Sequence, residues 1–433
     1  MRVLVVGGGG REHALAWRLC ADRSVSDVLA TPGNPGIARV ARCIDVRADD
    51  HAGLTELARR ERVDLVVVGP ESPLVAGLAD AMEASGVPAF GPSAAAARLE
   101  GSKAFAKELM RRAGVPTARS ATFARADWDA DPRGVLSFLD ELGGGPAVVK
   151  ADGLAAGKGV VVAETREEAA TAVEAALGGG AFGEAGANVV VEECLEGREV
   201  SAFALTDGRR VVWLGFAQDA KRAGDDDTGP NTGGMGAFSP VPFVDATTAD
   251  RIRADVLERT VAAMAEEGVP YRGVLYAGLM LTAEGPKVLE FNCRFGDPET
   301  QALMPLLATD PAEPLLACAR GDLGDGVVGL APLACVTVVV ASGGYPGHHR
   351  TGFAVSGLEP AEAVAGVTVF HSGTAERRGR VVTAGGRVVS VSAVGDSLAE
   401  ARDRAYEAVS HVGFEGRHHR TDIAARAAKE EGT

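Results

Sequence analysis

Short apolar runs alternate with helical segments along residues 1–100, and this alternation constrains the fold more than any other feature. Residues 3–6, 27–30 and 64–68 are rich in Val, Leu and Ala, as buried strands are. Residues 11–20 predict a helix after the first strand, and further helices lie on either side of the third. Strands that alternate with helices in this way predict an α/β fold built on a doubly wound parallel sheet.

The remaining sequence is richer in strands, and the whole chain predicts a multidomain protein of mixed α/β and α+β class. A length of 433 residues is enough for roughly two to four domains. We expect a Rossmann-like domain over residues 1–101, a central domain over 102–326 and a small α+β domain over 327–433. Residues 118–195 form a compact unit of strands and one long helix, and the glycine run 143–145 predicts that this unit is a mobile lid.

Composition and charge exclude several classes of protein. The sequence has no run of roughly 18 or more apolar residues, so we expect no membrane span. The net charge of −15 disfavours non-specific binding to nucleic acid. The six cysteines are scattered without a Cys-x-x-Cys pair, which argues against a zinc site or a disulfide scaffold and suits a reducing cytoplasm.

The segment 289–299 contains the side chains that most strongly indicate a catalytic or metal-binding site. It predicts a short strand that runs into a polar turn, with Glu290, Asn292 and Arg294 on one face because strand side chains alternate. Carboxylate and amide oxygens are ligands that suit Mg²⁺, which usually takes few protein ligands and several phosphate oxygens. Arg294 can hold a phosphoryl group that is being transferred. The alternative is an edge strand with an ordinary solvated face.

Glycines at 7–10 connect the first predicted strand to the first helix. The G-x-G-x-x-G fingerprint of dinucleotide-binding enzymes fails here, because its sixth position is Glu12 or His13 in the two possible registers. A phosphate can still bind where free backbone N–H groups meet the positive end of a helix. We therefore expect a phosphate site at Gly8, Gly9, Gly10 and Arg11; the alternative is a purely structural tight turn.

A second glycine-rich segment, 152–159, lies between two predicted strands. It is not a Walker A motif, because only three residues separate Gly153 from Gly157 and Gly159 stands where Ser or Thr should be. Such a hairpin, which also includes Lys158, can close over a triphosphate because glycine lets backbone N–H groups approach closely. An ordinary mobile loop is the alternative.

Two further polar segments are candidates for binding. At 192–199, Glu192 and the backbone of Leu195 can contact an adenine ring, and Glu199 can hold ribose hydroxyls; a charged surface hinge is the alternative. The polar loop 219–236, with Asp219, Lys221 and Asn231, is long enough that a function or disorder is expected. Its run Asp225–Asp227 could equally be a solvated turn.

These segments together resemble the ATP-grasp superfamily and, within it, the phosphoribosylamine–glycine ligases of purine biosynthesis. The resemblance runs nearly end to end. The matching runs are Gly-Gly-Arg-Glu-His-Ala at 9–14, Gly-Pro-Glu at 69–71, Leu-Glu-Gly-Ser-Lys-Ala-Phe at 99–105, Lys-Ala-Asp-Gly-Leu-Ala-Ala-Gly-Lys-Gly-Val at 150–160, Asp-Thr-Gly-Pro-Asn-Thr-Gly-Gly-Met-Gly-Ala at 227–237, Glu-Phe-Asn-Cys-Arg-Phe-Gly-Asp-Pro-Glu-Thr-Gln at 290–301 and Gly-Gly-Tyr-Pro-Gly at 343–347.

The resemblance implies a central ATP-grasp domain and a cytoplasmic, monomeric enzyme that uses ATP with Mg²⁺ or Mn²⁺ and binds no nucleic acid or membrane. Glycine would become glycyl phosphate, which the amine of 5-phosphoribosylamine then attacks to give glycinamide ribonucleotide, ADP and phosphate. By matching position, residues with these implied roles are Lys103, Lys150, Gly153, Gly157, Lys158, Gly159, Glu192, Leu195 and Glu199 for ATP; Glu290 and Asn292 for the metal; Arg294 and Lys150 for catalysis; and Gly8, Gly9, Gly10, Arg11, Glu71, Asp219, Lys221 and Asn231 for the other substrates.

The sequence departs from the family pattern at three places. Family members often have Asn among the first glycines, where this chain has only glycine, and Ala220 stands where His is usual. The strand at 273–280 carries no acid, so it offers no third protein ligand to the metal. The alternatives that remain are a dinucleotide-dependent oxidoreductase, a non-catalytic nucleotide sensor and another carboxylate–amine ligase of purine synthesis.

Overall fold

The computed structural model describes residues 1–153, 159–177, 188–324 and 328–431. An N-terminal sheet of five parallel strands confirms the predicted alternation; from edge to edge it contains β3 (Arg42–Cys43), β2 (Asp27–Pro32), β1 (Arg2–Gly7), β4 (Leu65–Val68) and β5 (Ala89–Phe90). Residues 3–6 of the central strand are fully buried, as expected for a parallel sheet covered on both faces. The helices of this region are α1 (Gly10–Cys20), α2 (His51–Arg60), α3 (Glu71–Val75) and α4 (Leu78–Ala84).

Two helices lead from this sheet into the next domain, α5 (Ala94–Gly101) and α6 (Lys103–Ala113). The start of α6 is fixed by Ser102, whose hydroxyl accepts a hydrogen bond from the backbone N–H of Phe105 at 3.1 Å. The helix ends at Gly114, which adopts the left-handed conformation that glycine tolerates best. The first helical residue is therefore Lys103, one of the predicted nucleotide-binding residues.

The segment predicted as a lid forms a sheet with its own core. The strands, from edge to edge, are β6 (Ser120–Ala124), β9 (Asn188–Glu193), β7 (Ala147–Ala151) and β8 (Val160–Ala163). Three helices accompany it: α7 (Arg125–Ala130), α8 (Arg133–Glu141) and α9 (Arg166–Leu177). Leu139, Val149, Val173 and Val191 belong to a hydrophobic cluster separate from the other cores. A unit with an independent core can move as one body, and its mobility stays a prediction.

An antiparallel sheet of eight strands forms the rest of the molecule. From edge to edge it contains β16 (Gly285–Asn292), β15 (Arg272–Thr282), β10 (Arg198–Asp207), β11 (Val211–Asp219), β14 (Gly236–Ser239), β17 (Ala334–Ala341), β21 (Arg387–Gly395) and β18 (Val367–His371). Two hairpins pair separately, β12 (Arg222–Gly224) with β13 (Thr228–Asn231) and β19 (Thr374–Arg377) with β20 (Arg380–Thr383).

Helices cover this sheet and close the chain. They are α10 (Ala246–Arg251), which continues through a π-helical stretch at Ile252–Glu258 into α11 (Arg259–Glu266), then α12 (Glu299–Leu303), α13 (Ala312–Arg320), α14 (Leu358–Glu362), α15 (Leu398–His411) and α16 (Ala425–Glu431). None of the described helices is long and apolar enough to cross a membrane. The sheet runs continuously past the expected boundary at residues 326–327, because β14 hydrogen-bonds to both β11 and β17.

Candidate active site

Glu290 and Asn292 lie near the end of β16, where they pair with Gly278 and Tyr276 of β15. Four cationic side chains act electrostatically on the Glu290 carboxylate: Lys221, Lys150, Lys103 and Arg294. Burial of Glu290 would raise its pKa, but these charges together hold the pKa below its usual value. Glu290 is therefore an ionised carboxylate at neutral pH.

The same two residues fit a divalent metal. Within the part of the chain that the structure describes, no hydrogen bond or ion pair occupies the Glu290 carboxylate or the side chain of Asn292. No group of three or more His, Cys, Asp or Glu side chains among the described residues could enclose a metal ion. An ionised carboxylate and an amide oxygen, both free to coordinate, match the few protein ligands that Mg²⁺ takes when phosphates supply the others.

Arg294 lies two residues beyond the end of β16 and is held by two carboxylates. Its Nε atom is 3.1 Å from Oε2 of Glu71, and its NH2 atom is 3.2 Å from Oε1 of Glu100. Burial would lower the pKa of Arg294, but Glu100 and Glu71 hold it above its usual value. The guanidinium is thus permanently charged and oriented by the N-terminal domain and α5, with the predicted residue Glu71 as one of its two anchors.

A buried cluster of two lysines and one carboxylate lies between α6 and the lid sheet. Oε2 of Glu192 is 2.9 Å from Nζ of Lys107, and Oε1 is 3.1 Å from Nζ of Lys150. Nζ of Lys150 also donates to the carbonyl of Leu289 at 2.9 Å. This hydrogen bond connects the lid sheet to β16, the strand that carries Glu290 and Asn292. The carboxylate of Glu192 thus orients Lys150, a contact that differs from the adenine contact expected of it.

Lys103 lies where the glycine-rich segment 152–159 begins. Its Nζ atom donates to the carbonyl of Gly153 at 2.9 Å, and the Asp152 carboxylate accepts from the backbone N–H of Ala104 at 3.2 Å. At the other end of the segment, the carbonyl of Gly159 accepts a hydrogen bond from the N–H of Ala151 at 2.8 Å. Gly157 and Lys158 lie outside the described residues.

The segment 219–236, which we call the substrate loop after the role expected of it, meets β10 through a charged pair. Lys221 is 2.8 Å from Oε2 of Glu199, a predicted ribose-binding residue. Burial raises the pKa of Asp219 to about 8, and the negative charges of Glu299 and Glu199 add to the increase while Lys221 opposes it. Leu195 lies in the connection between β9 and β10 and is half-buried. Asp219, Lys221 and Glu199 therefore form one electrostatic group with Glu290.

Three other parts of the substrate loop do not join this group. Asn231 is exposed at the end of β13, so nothing in the described contacts brings it to the other site residues. Ala220 packs against the main hydrophobic core, where a histidine would have to find a polar partner. The run Asp225–Asp227, which could have been a solvated turn, is bound by the C-terminal domain: Arg420 donates to Asp227 at 2.7 Å and the N–H of Thr421 to Asp225 at 2.8 Å.

The glycines at 8–10, where a phosphate site is expected, form a tight loop at the start of α1, which we call the phosphate loop. A Cβ atom added to Gly8 would lie 2.6 Å from the carbonyl oxygen of Gly33, so only glycine fits there. Arg11 is buried; its Nε atom is 2.6 Å from Glu12 and its NH1 atom donates to the carbonyl of Phe295 at 3.2 Å. Arg11 therefore connects the phosphate loop to the segment that carries Arg294.

Sequence reasoning missed several residues that complete the site. Lys107 is one helical turn from Lys103, and this spacing of i, i+4 was a signal that both amines share a face of α6. Glu100 and Arg387 gave no such signal, because their partners Arg294 and Asp297 are distant in sequence. These long-range ion pairs become visible only in the folded chain.

Comparison with known proteins identifies the family of this chain. Family models match in three consecutive parts: the N domain of phosphoribosylglycinamide synthetase over residues 1–100, its ATP-grasp (A) domain over 101–300 and its C domain over 335–426. A phosphoribosylamine–glycine ligase from Streptomyces coelicolor is 53% identical over 435 aligned positions, covering 99% of this chain and 100% of that protein. One from Rhizobium meliloti is 48% identical and is covered completely, as is this chain.

Solved structures extend the comparison to the fold. A phosphoribosylamine–glycine ligase from Thermotoga maritima is 34% identical, with a TM-score of 0.85 and coverage of 98% of this chain and 100% of that one. A biotin carboxylase from Campylobacter jejuni has a TM-score of 0.72 at 15% identity, which shows a shared fold alone. On these matches, the chain belongs to the phosphoribosylglycinamide synthetase family of ATP-grasp proteins.

Proposed function

We propose that this protein is an ATP-dependent ligase that joins glycine to 5-phosphoribosylamine and releases ADP and phosphate, a step of purine biosynthesis. The observation that carries the proposal is the group of Lys221, Lys150, Lys103 and Arg294 around the ionised Glu290. Four positive charges and one carboxylate suit a triphosphate, a metal and a phosphoryl group in transfer. Sequence identity of 48% and 53%, over nearly the whole chain, to proteins named phosphoribosylamine–glycine ligase supports the choice of substrates.

The nucleotide is held between α6 and the lid sheet. Lys103 and Lys150 contact its phosphates, and Glu192 with Lys107 keeps Lys150 directed at them. The backbone of Leu195 contacts adenine, and Glu199 contacts the ribose. The lid, from about residue 118 to 195, closes when ATP binds and excludes water from the reacting groups.

ATP-grasp enzymes use ATP with a divalent metal ion, and Glu290 and Asn292 are the residues that would hold it, as Mg²⁺ or Mn²⁺. Such an ion, when bound, neutralises charge on the phosphates. The low pKa of Glu290 supports this role, because a ligand carboxylate must be ionised.

In the first step, a carboxylate oxygen of glycine attacks the γ-phosphorus of ATP, the bond to the bridging oxygen of ADP breaks, and glycyl phosphate forms. Arg294 donates to the oxygens of the phosphoryl group while it moves. The orientation of its guanidinium by Glu71 and Glu100 supports this role, because a preorganised donor need not reorient during the reaction.

In the second step, the amine nitrogen of 5-phosphoribosylamine attacks the acyl carbon, phosphate leaves with its bonding electron pair, and the nitrogen loses a proton. Gly8, Gly9, Gly10 and Arg11 bind the 5′-phosphate, and the substrate loop closes over the amine and glycine with Asp219, Lys221 and Asn231. The protein acts in the cytoplasm.

The experiment that tests this function measures ADP release with substrates omitted one at a time. Phosphoribosylamine is made in place from ribose 5-phosphate and ammonia. We expect rapid ADP release only with glycine and phosphoribosylamine together. Equal activity with aspartate or bicarbonate in place of glycine would contradict the proposal, and NAD(P) turnover would favour the oxidoreductase alternative.

A further inference from the structure

The C-terminal domain contacts the candidate site directly. The substrate loop leads into β14, which hydrogen-bonds to β17 of the C-terminal domain through the pairs Gly236–Val338 and Ala237–Thr337. Near this point both backbone groups of Gly233 are bound by the C-terminal domain, since its N–H donates to the hydroxyl of Tyr345 at 2.9 Å and its carbonyl accepts from Arg387 at 2.6 Å. The end of the substrate loop is therefore fixed by a domain that supplies none of the sequence-predicted site residues.

Arg387 is the side chain that makes this connection to the active-site turn. Besides Gly233, its NH1 atom donates to the carbonyl of Asp297 at 2.7 Å, and its NH2 atom is 3.1 Å from Oδ2 of the same residue. These three acceptors lie in two different chain segments. A planar guanidinium can serve them together because its donors are fixed in a fork, whereas an ammonium is a point donor.

Asp297 stands where the domains meet. Its Oδ1 atom accepts from Gln301 at 2.7 Å, and a Cβ atom added to Gly9 of the phosphate loop would lie 3.7 Å from Oδ2. Burial would raise its pKa, but Arg387, Arg11 and Arg294 with Gln301 hold the pKa below its usual value. An ionised carboxylate thus lies between the phosphate loop and the arginine expected to steady the acyl phosphate.

We propose that Arg387 is a positioning residue for the second substrate. It fixes the Asp297 carboxylate and the end of the substrate loop relative to each other, so that the attacking amine meets the acyl carbon at the correct angle. This inference rests on the proposed ligase function. Among the contacts that the structure describes, Arg387 touches none of Lys103, Lys150 and Glu192, so we expect nucleotide binding not to depend on it.

The substrate loop has a second attachment that keeps the comparison clean. Thr421 binds Asp225, Arg420 binds Asp227, and the N–H of Asp226 donates to Asp422 at 2.9 Å. Because these contacts and the β14–β17 pairing remain when Arg387 is changed, the variant should fold with the loop attached. What changes is the alignment of Gly233 with Asp297.

The test uses full-length Arg387→Ala and Arg387→Lys, with Arg380→Ala as the matched control because Arg380 is exposed on β20 of the same domain. For Arg387→Ala we expect kcat/KM for phosphoribosylamine to fall roughly 10²-fold, the scale of a misaligned reaction. KM for ATP should change little, and the protein should stay folded, although its melting temperature falls because Asp297 loses an ion pair. Guanidinium added at millimolar concentration should restore part of the rate that Arg387→Ala loses. Arg387→Lys should retain less of the wild-type rate than Arg387→Ala reaches with added guanidinium.

The outcomes separate this inference from the proposed function. If wild-type protein releases no ADP with glycine and phosphoribosylamine, the proposed function is wrong. If wild type is active and Arg387→Ala matches Arg380→Ala, only the positioning role is wrong. A loss that appears equally in KM for ATP and in melting temperature, without rescue by guanidinium, would assign Arg387 a purely structural role and overturn the inference.

Discussion

The proposed nucleotide side of the site and its proposed acceptor side are assembled from residues at different distances along the chain. The nucleotide side, which we define as Lys103, Lys107, Lys150 and Glu192, comes from α6 and the lid sheet, within residues 103–192. The acceptor side spans the N-terminal, central and C-terminal domains and consists of Glu71, Glu100, Arg294, Asp297 and Arg387.

Because the two sides are built from different parts of the chain, we expect them to respond differently to amino-acid substitutions. The lid sheet, which carries Lys150 and Glu192, has its own core, so we expect it to move as a unit relative to α6, which carries Lys103 and Lys107. The acceptor side is fixed by ion pairs between domains, so it depends on their docking. Changes on the nucleotide side should therefore alter ATP binding, whereas changes on the acceptor side should alter turnover of bound substrates.

The largest effect should come from Glu290, because its carboxylate is acted on by Lys103 and Lys150 of the nucleotide side and by Arg294 of the acceptor side. Glu290→Gln keeps the side-chain volume but removes the ionised carboxylate, so we expect kcat to fall about 10³-fold. Activity and melting temperature should be measured across a Mg²⁺ titration, with Glu284→Gln as the control because Glu284 is exposed in the preceding turn. Unchanged kinetics at limiting Mg²⁺ would contradict the metal-binding role.

Arg294→Lys probes the acceptor side alone. A lysine cannot reproduce the paired contacts to Glu71 and Glu100 and still present two parallel donors to phosphoryl oxygens. We expect kcat to fall roughly 10²-fold while KM for ATP shifts far less. A lower melting temperature with kcat of the folded fraction near wild type would instead mean that Arg294 only holds the turn.

Lys107→Met probes the nucleotide side alone. The variant leaves Glu192 with a single partner, so Lys150 is drawn toward the carboxylate and away from the phosphates. We expect KM for ATP to rise about tenfold, equivalent to 1.4 kcal/mol of binding free energy. Arg111→Met, on the exposed part of the same helix, is the control. A change in KM for phosphoribosylamine but not for ATP would break the division between the two sides.

The smallest effect concerns stability where the N-terminal and C-terminal domains meet. Nδ1 of His13 accepts a hydrogen bond from the N–H of His371 at 2.8 Å, so that ring atom is unprotonated. Burial lowers the pKa of His13 to about 3 and that of His371 to about 4 from the ordinary value of 6.5. Since the unfolded chain binds these protons more readily, stability is lost as pH falls from 6.5 toward 4.

Each histidine should cost about 2 kcal/mol of the free energy of unfolding between pH 7 and pH 5. His13→Asn keeps an acceptor for the N–H of His371 but cannot be protonated. It should therefore remove the contribution of His13, which is about half of the stability that the two histidines together lose between pH 7 and pH 5. Denaturant unfolding at the two pH values measures it, with His348→Asn, an exposed position, as the control. The same pH dependence in His13→Asn and wild type would show that His13 does not titrate in this way.

Sequence patterns predicted the local parts of this molecule well. The alternation over residues 1–100 identified the parallel sheet. The pattern around Glu290 predicted a strand, which the structure confirms as β16, although the strand ends before Arg294. These features depend on neighbours in sequence, whose geometry a short pattern specifies.

The parts that sequence did not reveal depend on distant partners. Nothing near Arg294 indicates Glu100, and nothing near Asp297 indicates Arg387, because each pair forms only after separate domains dock. The continuous sheet across β14 and β17 was missed for the same reason, because a sequence pattern predicts strands without indicating which of them pair. The sequence predicted that Glu192 contacts adenine, whereas in the structure its carboxylate pairs with Lys107 and Lys150. These two lysines come from different elements, so no local pattern indicated the pairing.

The measurement that tests the central claim most directly follows oxygen atoms. Glycine labelled with ¹⁸O in its carboxylate is supplied with ATP and phosphoribosylamine, and the released phosphate is analysed by mass spectrometry. If glycyl phosphate forms beside Arg294, one carboxylate oxygen leaves with the phosphate, so each phosphate produced carries one ¹⁸O atom. Phosphate without ¹⁸O, released at the same rate as the amide product, would contradict the account.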